Sequence, residues 1–416
     1  MSDAALPIKD TLSPASHDEV AAAVRAAFDS ITPLYPIGGG TALGFGLPAK
    51  APGRGLSLAK LNRVVDYPAR DMTVTVEAGI TMHAVGELLA KERQRLPIDV
   101  PQAERATIGG VIATNWNGPR RFGEGTVRDY VIGISAVDGR GQPFKGGGRV
   151  VKNVAGYDFC KLLTGSLGTL GVITQVTLRL KPIPEQSALV ACAVADSAVA
   201  EKLVAGLVNS KTTPTAIELL AGPAWQNDPA LAGLGALVKS SLYLVVGLEG
   251  TGPEVEFMTR QLASEWRAAG VDSLVVGEAA ALWRRLVEFP AEGESPLVLK
   301  ASVAPSGVAP VIEAARRLDP ECSLQAHAGS GIVLIKLSKF PEQGLSRALV
   351  GNLQPAAAAH LGYLIVLSNP SGAEMTHQCV WGATDVPLWL MTEVKRKFDP
   401  QDILNRGRFV YLGRSQ

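Results

Sequence analysis

Three consecutive glycines follow a short apolar segment near the start of the chain, in PLYPIGGGTALGFG at residues 33–46. Residues without a Cβ let the backbone adopt positive φ and bring its N–H groups close to an anion. This turn therefore fits a diphosphate-binding loop, although ordinary tight turns use the same residues. No GxxxxGK[ST] motif is present, and Leu43 stands where GxGxxG needs its third small residue. The segment GFGLPA at 44–49 fits GxGxxA, but Pro48 would lie in the first turn of the helix that this motif must begin. These departures disfavour a nicotinamide-binding Rossmann domain.

The composition restricts the class of partner. The chain has 416 residues, enough for two or three domains, and its 40 Lys and Arg nearly balance 39 Asp and Glu. This balance disfavours nucleic acid and anionic membrane surfaces as partners. The N-terminus lacks the pattern of a signal peptide, and charged residues interrupt the most apolar segment, LVACAVADSAVAEKLVAGLV. We therefore expect a cytoplasmic protein, attached to the inner membrane only peripherally and through partners.

The four cysteines give no sign of a metal site. Cys160, Cys192, Cys322 and Cys379 are far apart and form no CxxC pair. Zinc sites, iron–sulfur clusters and disulfide scaffolds need closer or paired spacings. We expect four buried, reduced, structural cysteines and no bound metal.

The first part of the chain alternates short strands with glycine-rich turns. SHDEVAAAVRAAF at 16–28 has Ser16 and Glu19 at capping-box spacing, which predicts a helix. MTVTVEAG at 72–79 alternates like a half-buried strand, and VIGISAVDGRG and VITQVTLRL predict further strands. The proline-bearing KPIPEQ then predicts a linker.

The part after the linker repeats a strand, a helix and a strand three times. The units begin at ALVACAVA, SLYLVVGLEG and PLVLKASVAP, and the third ends in two strands, CSLQAHA and GIVLIKLS. Such units indicate an α+β domain with helices packed on one face of a sheet. The segment PLWLMTEVKRKFDPQDILNRGRF predicts an amphipathic helix, a turn and a short tail.

Two more small-residue turns lie between the first loop and the linker. ATIGGVIATNWNG at 106–118 offers close approach at its glycines and hydrogen bonds from its Thr and Asn side chains. GSLGTLGVIT at 165–174 is a third turn that leads into a strand.

In order and spacing these three elements resemble the FAD-binding domain of the vanillyl-alcohol oxidase / PCMH flavoprotein family, and FDPQDILNRGRF resembles the family's FDPxxILNPGK tail. The resemblance implies an α+β fold with a PCMH-type FAD-binding domain of two α+β subdomains at 1–184. An α+β cap or substrate-type domain with an antiparallel sheet is then expected at 185–385, and a helix and tail that return to the FAD domain at 386–416.

The resemblance also implies noncovalent FAD, because Gly40 stands where covalent members carry histidine and the second loop has no attachment cysteine. The residues implied to contact FAD belong to the three turns and the tail: Ile37, Gly38, Gly39, Gly40, Thr41, Ala42, Thr107, Ile108, Gly109, Gly110, Thr114, Asn115, Gly171, Ile173 and Asn405. The tail departs from the family at Arg406, where proline is usual. Because of this departure, the alternative is that Asn405 is an ordinary turn residue with no contact to FAD.

Family members that oxidise 2-hydroxy acids carry HxGDGNxH and a later EHG segment. This chain has HAGSGIVL at 327–334, which keeps His327 but has Ile332 and Leu334 at the positions of Asn and the second His, and it has no EHG. A single histidine does not make a metal site, so we expect His327 to be packed or hydrogen-bonded. Arg120 and Arg121 could bind an acidic group, although adjacent arginines in a polar loop are more often solvated. The catalytic residues are therefore unknown.

With these departures from the motif, the chain resembles, within the family, the smaller flavin subunits of bacterial glycolate oxidase complexes. That resemblance implies a larger FAD subunit that oxidises the hydroxy acid, an iron–sulfur subunit, and glycolate or a similar 2-hydroxy acid as substrate. An autonomous FAD-linked 2-hydroxy-acid dehydrogenase and a nonenzymatic scaffold remain as alternatives.

Overall fold

The computed structural model describes residues 6–49, 51–148, 156–226, 228–235, 242–382 and 387–409. The expected boundary at 385/386 and the last residues of the chain lie outside these ranges. In the part of the chain described, no helix has both the length and the apolar character needed to cross a membrane.

The elements up to the linker follow the expected alternation. They are β1 (Ile8–Leu12), α1 (His17–Asp29), β2 (Leu34–Ile37), β3 (Gly53–Ser57), β4 (Val64–Asp66), β5 (Thr73–Glu77), α2 (Met82–Ala90), β6 (Gln94–Arg95), α3 (Ile108–Thr114), α4 (Arg121–Glu124), α5 (Val127–Tyr130), β7 (Val131–Val137), β8 (Pro143–Gly147), α6 (Phe159–Leu163), β9 (Val172–Arg179) and β10 (Lys181–Pro182).

The remaining elements alternate strands and helices as expected. They are β11 (Gln186–Val194), α7 (Ser197–Gly206), β12 (Ala216–Ala221), α8 (Pro223–Gln226), β13 (Leu242–Gly250), α9 (Gly252–Ala268), β14 (Leu274–Val275), α10 (Ala279–Glu288), β15 (Leu297–Ser302), α11 (Val308–Leu318), β16 (Ser323–His327), β17 (Ile332–Leu337), α12 (Leu345–Ala348), α13 (Gln354–Ala358), β18 (Tyr363–Ser368), α14 (His377–Trp381) and α15 (Leu388–Phe398).

The chain forms two compact units. The first, here called the cleft unit, comprises Asp3–Asn117, Thr126–Ile183 and Asp385–Gln416. The second, the sheet unit, comprises Gly118–Gly125 and Pro184–Thr384. Residues 118–125, which the sequence analysis assigned to the first domain, thus group with the sheet unit.

The cleft unit contains a parallel sheet and a larger antiparallel one. The parallel sheet has the order β1-β3-β2, and the five-stranded antiparallel sheet has the order β4-β5-β9-β7-β8. Helix α1 begins as predicted, since the Ser16 Oγ accepts a hydrogen bond from the Glu19 N–H at 3.2 Å. Its buried face packs with β2, β3 and the tail residue Leu404 in one apolar core.

Strand β5 departs from the half-buried strand predicted for 72–79. All five of its residues are buried, and Met72 precedes the strand in a left-handed conformation. Two of its three polar side chains have partners, since the Thr75 hydroxyl lies 3.0 Å from that of Thr177 and Glu77 accepts hydrogen bonds from Arg63. The Thr73 Oγ1 is buried without a hydrogen-bond partner among the described residues. Alternation of polar and apolar residues therefore did not indicate solvent on one side.

The sheet unit is built on one antiparallel sheet of eight strands, in the order β14-β11-β13-β12-β16-β17-β15-β18. Helices α7, α9 and α11 contribute Leu203, Leu262 and Ile312 to a core shared with one face of this sheet. The repeated units therefore form the predicted α+β domain. One difference is β14, the strand that ends the second unit, which has two residues only.

Candidate functional site

The first glycine loop leaves β2 and presents a row of free backbone donors. Gly40 has φ of +73°, a conformation that glycine adopts without strain. Within the described residues, the N–H groups of residues 38–42 donate to no protein acceptor. These five residues are half-buried, and consecutive free N–H groups that line one loop are available to bind an anion.

The second loop begins helix α3, which Thr107 caps. The Thr107 Oγ1 accepts a long hydrogen bond, 3.4 Å, from the Gly110 N–H, while the N–H of Gly109 donates to the carbonyl of Ala78. At the other end, the Thr114 hydroxyl donates to the Gly110 carbonyl, and Asn115 ends the helix with φ of +51°. The loop is therefore held from within by its own cap.

The two loops lie directly against each other, which gives Gly38 and Gly39 a role that the sequence analysis did not foresee. A Cβ on Gly38 would lie 2.1 Å from the Thr107 Oγ1, and one on Gly39 would lie 1.6 Å from the Arg105 carbonyl oxygen. Neither distance is possible for a real Cβ. These two glycines allow contact between the loops, in addition to any contact with a ligand.

The third turn and the tail meet beside these loops. The N–H of Leu167 donates to the Ala113 carbonyl, and the Asn405 Nδ2 donates to the Leu167 carbonyl at 2.6 Å. The tail also forms a bridge between Leu404 and Leu34 in β2. Asn405 has φ of +44°, so it has both the conformation of a turn residue and a side chain that ties two segments together.

A buried lysine holds this tail in place. The Lys395 side chain is 1% exposed, and its Nζ donates to Asp399 at 2.6 Å and to the carbonyls of Thr169 and Leu404. The Asp399 carboxylate also accepts the N–H groups of Ile403 and Leu404. One side chain thus connects α15, the third turn and the tail. We call Lys395 and Asp399 the tail knot.

Arg408 is a cleft residue that the sequence analysis missed. Its side chain is buried, and its Nη2 donates to the carbonyls of Leu43 and Phe45. Burial lowers the pKa of the guanidinium to about 10, so the group keeps its charge at neutral pH. Its position, three residues beyond Asn405 in the family-like tail, was the signal that could have found it.

These segments surround one cleft of about 860 Å³, a volume that includes its opening to solvent. Twelve of the fifteen residues predicted to contact FAD line it: Gly38, Gly39, Gly40, Thr41, Ala42, Thr107, Gly109, Gly110, Thr114, Gly171, Ile173 and Asn405. The other three, Ile37, Ile108 and Asn115, support the loops from outside the lining. Leu43, Phe45, Leu167, Gly168 and Arg408 line the cleft without having been predicted.

The residues of the cleft fit FAD. Free backbone donors at 38–42 and the Arg408 guanidinium suit an anionic diphosphate, and small residues at Gly110 and Ala113 leave room for an extended ligand. When bound, FAD supplies a two-electron acceptor.

The sheet unit holds the residues considered for substrate chemistry. His327 ends β16, and its Nδ1 lies 2.8 Å from the Glu218 Oε1, with both side chains at most 3% exposed. Gln325 donates to the same carboxylate at 2.8 Å. His327 is therefore packed and hydrogen-bonded, as expected. Among the described residues, no group of three His, Cys, Asp or Glu side chains has the arrangement of a metal site.

The two adjacent arginines differ from the expected solvated pair. The Arg120 Nε donates to the Glu249 Oε1 at 2.8 Å, and the guanidinium lies 3.8 Å from the centre of the Trp283 ring. Arg120 is thus held between a carboxylate and an aromatic face, and the expectation of solvation was wrong for it. Arg121 lies close enough to Lys300 to contribute to the lowered pKa of that lysine.

All four cysteines are buried and free of disulfides. Burial raises the pKa of the Cys160 thiol to about 11 and that of Cys192 and Cys322 to about 12. These three thiols are therefore protonated at neutral pH and chemically inert.

Comparisons with known proteins also indicate FAD as the cofactor. Residues 9–147 match the FAD binding domain model FAD_binding_4, and residues 183–350 match the C-terminal domain of FAD linked oxidases. The structure of p-cresol methylhydroxylase with bound substrate superposes with a TM-score of 0.72 over 97% of this chain and 91% of that chain, at 16% identity. At that identity the likeness establishes the fold alone.

Three curated relatives illustrate the sequence similarity. D-2-hydroxyglutarate dehydrogenase of Xanthomonas citri pv. viticola is 33% identical over 65% of this chain and 58% of its own length. D-lactate dehydrogenase of Anaerostipes hadrus is 26% identical over 95% of this chain and 88% of its own length. The glycolate oxidase subunit GlcE of Escherichia coli is 35% identical over 39% of this chain and 47% of its own length.

The two domain matches, the superposition and the cleft agree on cofactor and fold. The chain is a flavoprotein with a PCMH-type FAD-binding domain followed by the C-terminal domain of FAD linked oxidases.

Proposed function

We propose that this chain is the smaller FAD-binding subunit of a complex that oxidises glycolate to glyoxylate, in which it assists or relays electrons. A larger flavin subunit performs the oxidation, and an iron–sulfur subunit takes the electrons onward. The similarity to a glycolate oxidase subunit supports this assignment, and so does the similarity to dehydrogenases of 2-hydroxy acids.

The observation that carries the proposal is the position of His327. Oxidation of a hydroxy acid requires a base for the hydroxyl proton. His327 is buried against Glu218, and the position of the family's second histidine is held by Leu334, an apolar residue that is 3% exposed. The chain keeps the glycine loops of the cleft but lacks the second histidine of the pair, which supports an accessory role over independent oxidation.

The test is the anaerobic visible spectrum of the purified chain before and after addition of glycolate. We expect a flavin spectrum that stays oxidised, and flavin reduction once the two partner subunits are added. Prompt bleaching of the isolated chain by glycolate, D-lactate or D-2-hydroxyglutarate would instead make it an autonomous dehydrogenase. A colourless chain that gains no thermal stability from FAD would identify a scaffold.

A variant locates the chemistry within the complex. His327→Gln keeps a hydrogen-bonding side chain beside Glu218, so we expect the reconstituted complex to turn over glycolate within about twofold of the wild-type rate. A loss of 100-fold or more in a variant with wild-type thermal stability and flavin content would place the hydroxyl chemistry on this chain.

A further inference from the structure

We propose that Arg408 supplies the positive charge that neutralises the diphosphate of bound FAD, acting together with the free N–H groups of residues 38–42. The proposal concerns the cofactor only and does not depend on the substrate or on the partner subunits.

Arg408 is a buried cation without an anionic partner in the protein. It is 6% exposed, and no carboxylate of the described residues lies within ion-pairing distance of its guanidinium. The other arginine of this part of the tail, Arg406, forms an ion pair with Asp402, whereas Arg408 has only carbonyl partners. Buried charges are rarely left without a counter-charge, so a ligand is the expected source of one.

The hydrogen bonds of Arg408 leave donors available. The guanidinium has five N–H groups, and the Nη2 alone supplies both bonds to the carbonyls of Leu43 and Phe45. These two bonds fix the plane of the guanidinium beside the segment that follows the first glycine loop. The Nε and Nη1 have no acceptor in the described part of the chain. A guanidinium fixed in this way can bind phosphate oxygens in its own plane.

The same cleft holds the other half of an anion site. Residues 38–42 line it together with Arg408, and their N–H groups are also without acceptors among the described residues. Backbone dipoles alone contribute partial charges, whereas a diphosphate carries two negative charges. Arg408 therefore completes a charge balance that the glycine loop leaves incomplete.

Arg105 offers a matched control. Its Nη2 lies 3.5 Å from the position that a Cβ on Gly40 would occupy, so it is a second cation beside the same loop. In contrast to Arg408, it is exposed to solvent, where water and salt weaken its interaction with an anion.

The experiment compares Arg408→Gln, Arg408→Lys and Arg105→Gln in the full-length chain. For each, the apoprotein is titrated with FAD to obtain Kd from flavin fluorescence, and its thermal midpoint is measured with and without inorganic pyrophosphate. We expect Arg408→Gln to weaken FAD binding at least tenfold and to lose the stabilisation by pyrophosphate. Arg408→Lys should retain most of both, and Arg105→Gln should change Kd less than threefold.

Other outcomes would overturn the proposal. Wild-type Kd in folded Arg408→Gln would do so, as would equal losses in the Gln and Lys variants, because charge would then not matter. An unchanged Kd with a shifted flavin midpoint potential would place the guanidinium at the flavin ring instead. If Arg408→Gln does not fold, Arg408→Lys and the pyrophosphate response of the wild-type chain decide, and no response in the wild type would contradict the proposal.

Discussion

Gly110 is a glycine of the cleft at which binding can be tested with a small displacement of one neighbouring side chain. A Cβ added there would meet only the Thr107 Oγ1, at 3.3 Å, whereas Cβ atoms on Gly38, Gly39 and Gly109 would all lie below 3.0 Å from neighbouring atoms. Substitution of Gly39 by a larger residue would separate the two loops whether or not FAD is present.

We therefore expect Gly110→Ala and Gly110→Val to weaken FAD binding progressively, by about tenfold or more for Val, because the added atoms occupy the cleft. Thermal stability of the apoprotein should not fall, since alanine favours a helix over glycine. Gly86→Ala in α2, where a Cβ meets nothing within 4 Å, is the control and should retain wild-type Kd. Equal Kd values for Gly110→Val and wild type would remove Gly110 from the site.

Lys300 gives a second prediction for a single residue. Burial, and then the charge of Arg121, lower the pKa of Lys300 from 10.5 to about 8. Between pH 8 and pH 10.5 the unfolded chain binds more protons than the folded chain. The loss of folding free energy caused by the Lys300 charge is therefore complete below pH 8 and decreases as the pH rises toward 10.5. Lys300→Met should therefore be more stable than wild type at pH 7, by about 2 to 4 °C for each kcal/mol.

That advantage should shrink steadily between pH 8 and pH 10.5, as measured by the difference in thermal midpoint between variant and wild type. Because the tyrosines and the other lysines titrate in both proteins, their contributions to the thermal midpoint cancel in this difference. An advantage that stays constant with pH would mean that the variant acts through packing and not through charge.

Among the elements, the C-terminal tail has the greatest effect on the cleft, although it is the part of the chain farthest from the first loop in sequence. Asn405 and Arg408 line the cleft, and the tail knot of Lys395 and Asp399 determines where they lie. The tail was predicted to return to the FAD domain because its motif resembles that of the family. The tail knot was not predicted, since Lys395 reads in sequence as one of three basic residues at the end of an amphipathic helix.

We expect Lys395→Met to reduce the free energy of unfolding by about 3 to 5 kcal/mol, because Asp399 would remain buried and unpaired. FAD retention should fall with it, since the tail would no longer be fixed at the cleft. The neighbouring Arg396→Met breaks an exposed pair with Glu393, so it should cost less than about 1 kcal/mol. Urea denaturation and the flavin content of the purified variants measure both effects, and similar losses in the two variants would contradict this role.

The sequence predicted the elements of the cleft far better than their mutual contacts. Three glycine turns indicated a FAD site through their resemblance to a known family, and they could be recognised because each turn is a local feature. The contact of Gly39 with Arg105 and the pairing of Arg120 with Glu249 join residues far apart in the chain, so no local pattern revealed them. Burial of both faces of β5 escaped the prediction for the same reason, since Arg63 and Thr177 lie on other segments.

For the whole molecule, the division into two units determines how cofactor binding and stability are linked. Every residue that lines the cleft belongs to the cleft unit, and the sheet unit has a separate apolar core. FAD at 100 times its Kd should therefore add about 2.7 kcal/mol to the stability of the cleft unit alone.

Differential scanning calorimetry should accordingly resolve a transition that rises with FAD and one that does not. Lys395→Met should lower the first, and Lys300→Met should raise the second at pH 7. A single transition that both variants and FAD shift together would show that the two units unfold as one.

The bridge between Leu34 and Leu404 also has a consequence for biosynthesis. Strand β2 is translated about 370 residues before its partner. At 5 to 20 residues per second, the nascent chain waits roughly 20 to 75 s before this wall of the cleft can close. Flavin capture is thus a late event that must await synthesis of the tail, and a chain truncated before Leu404 would be left without a complete cofactor site.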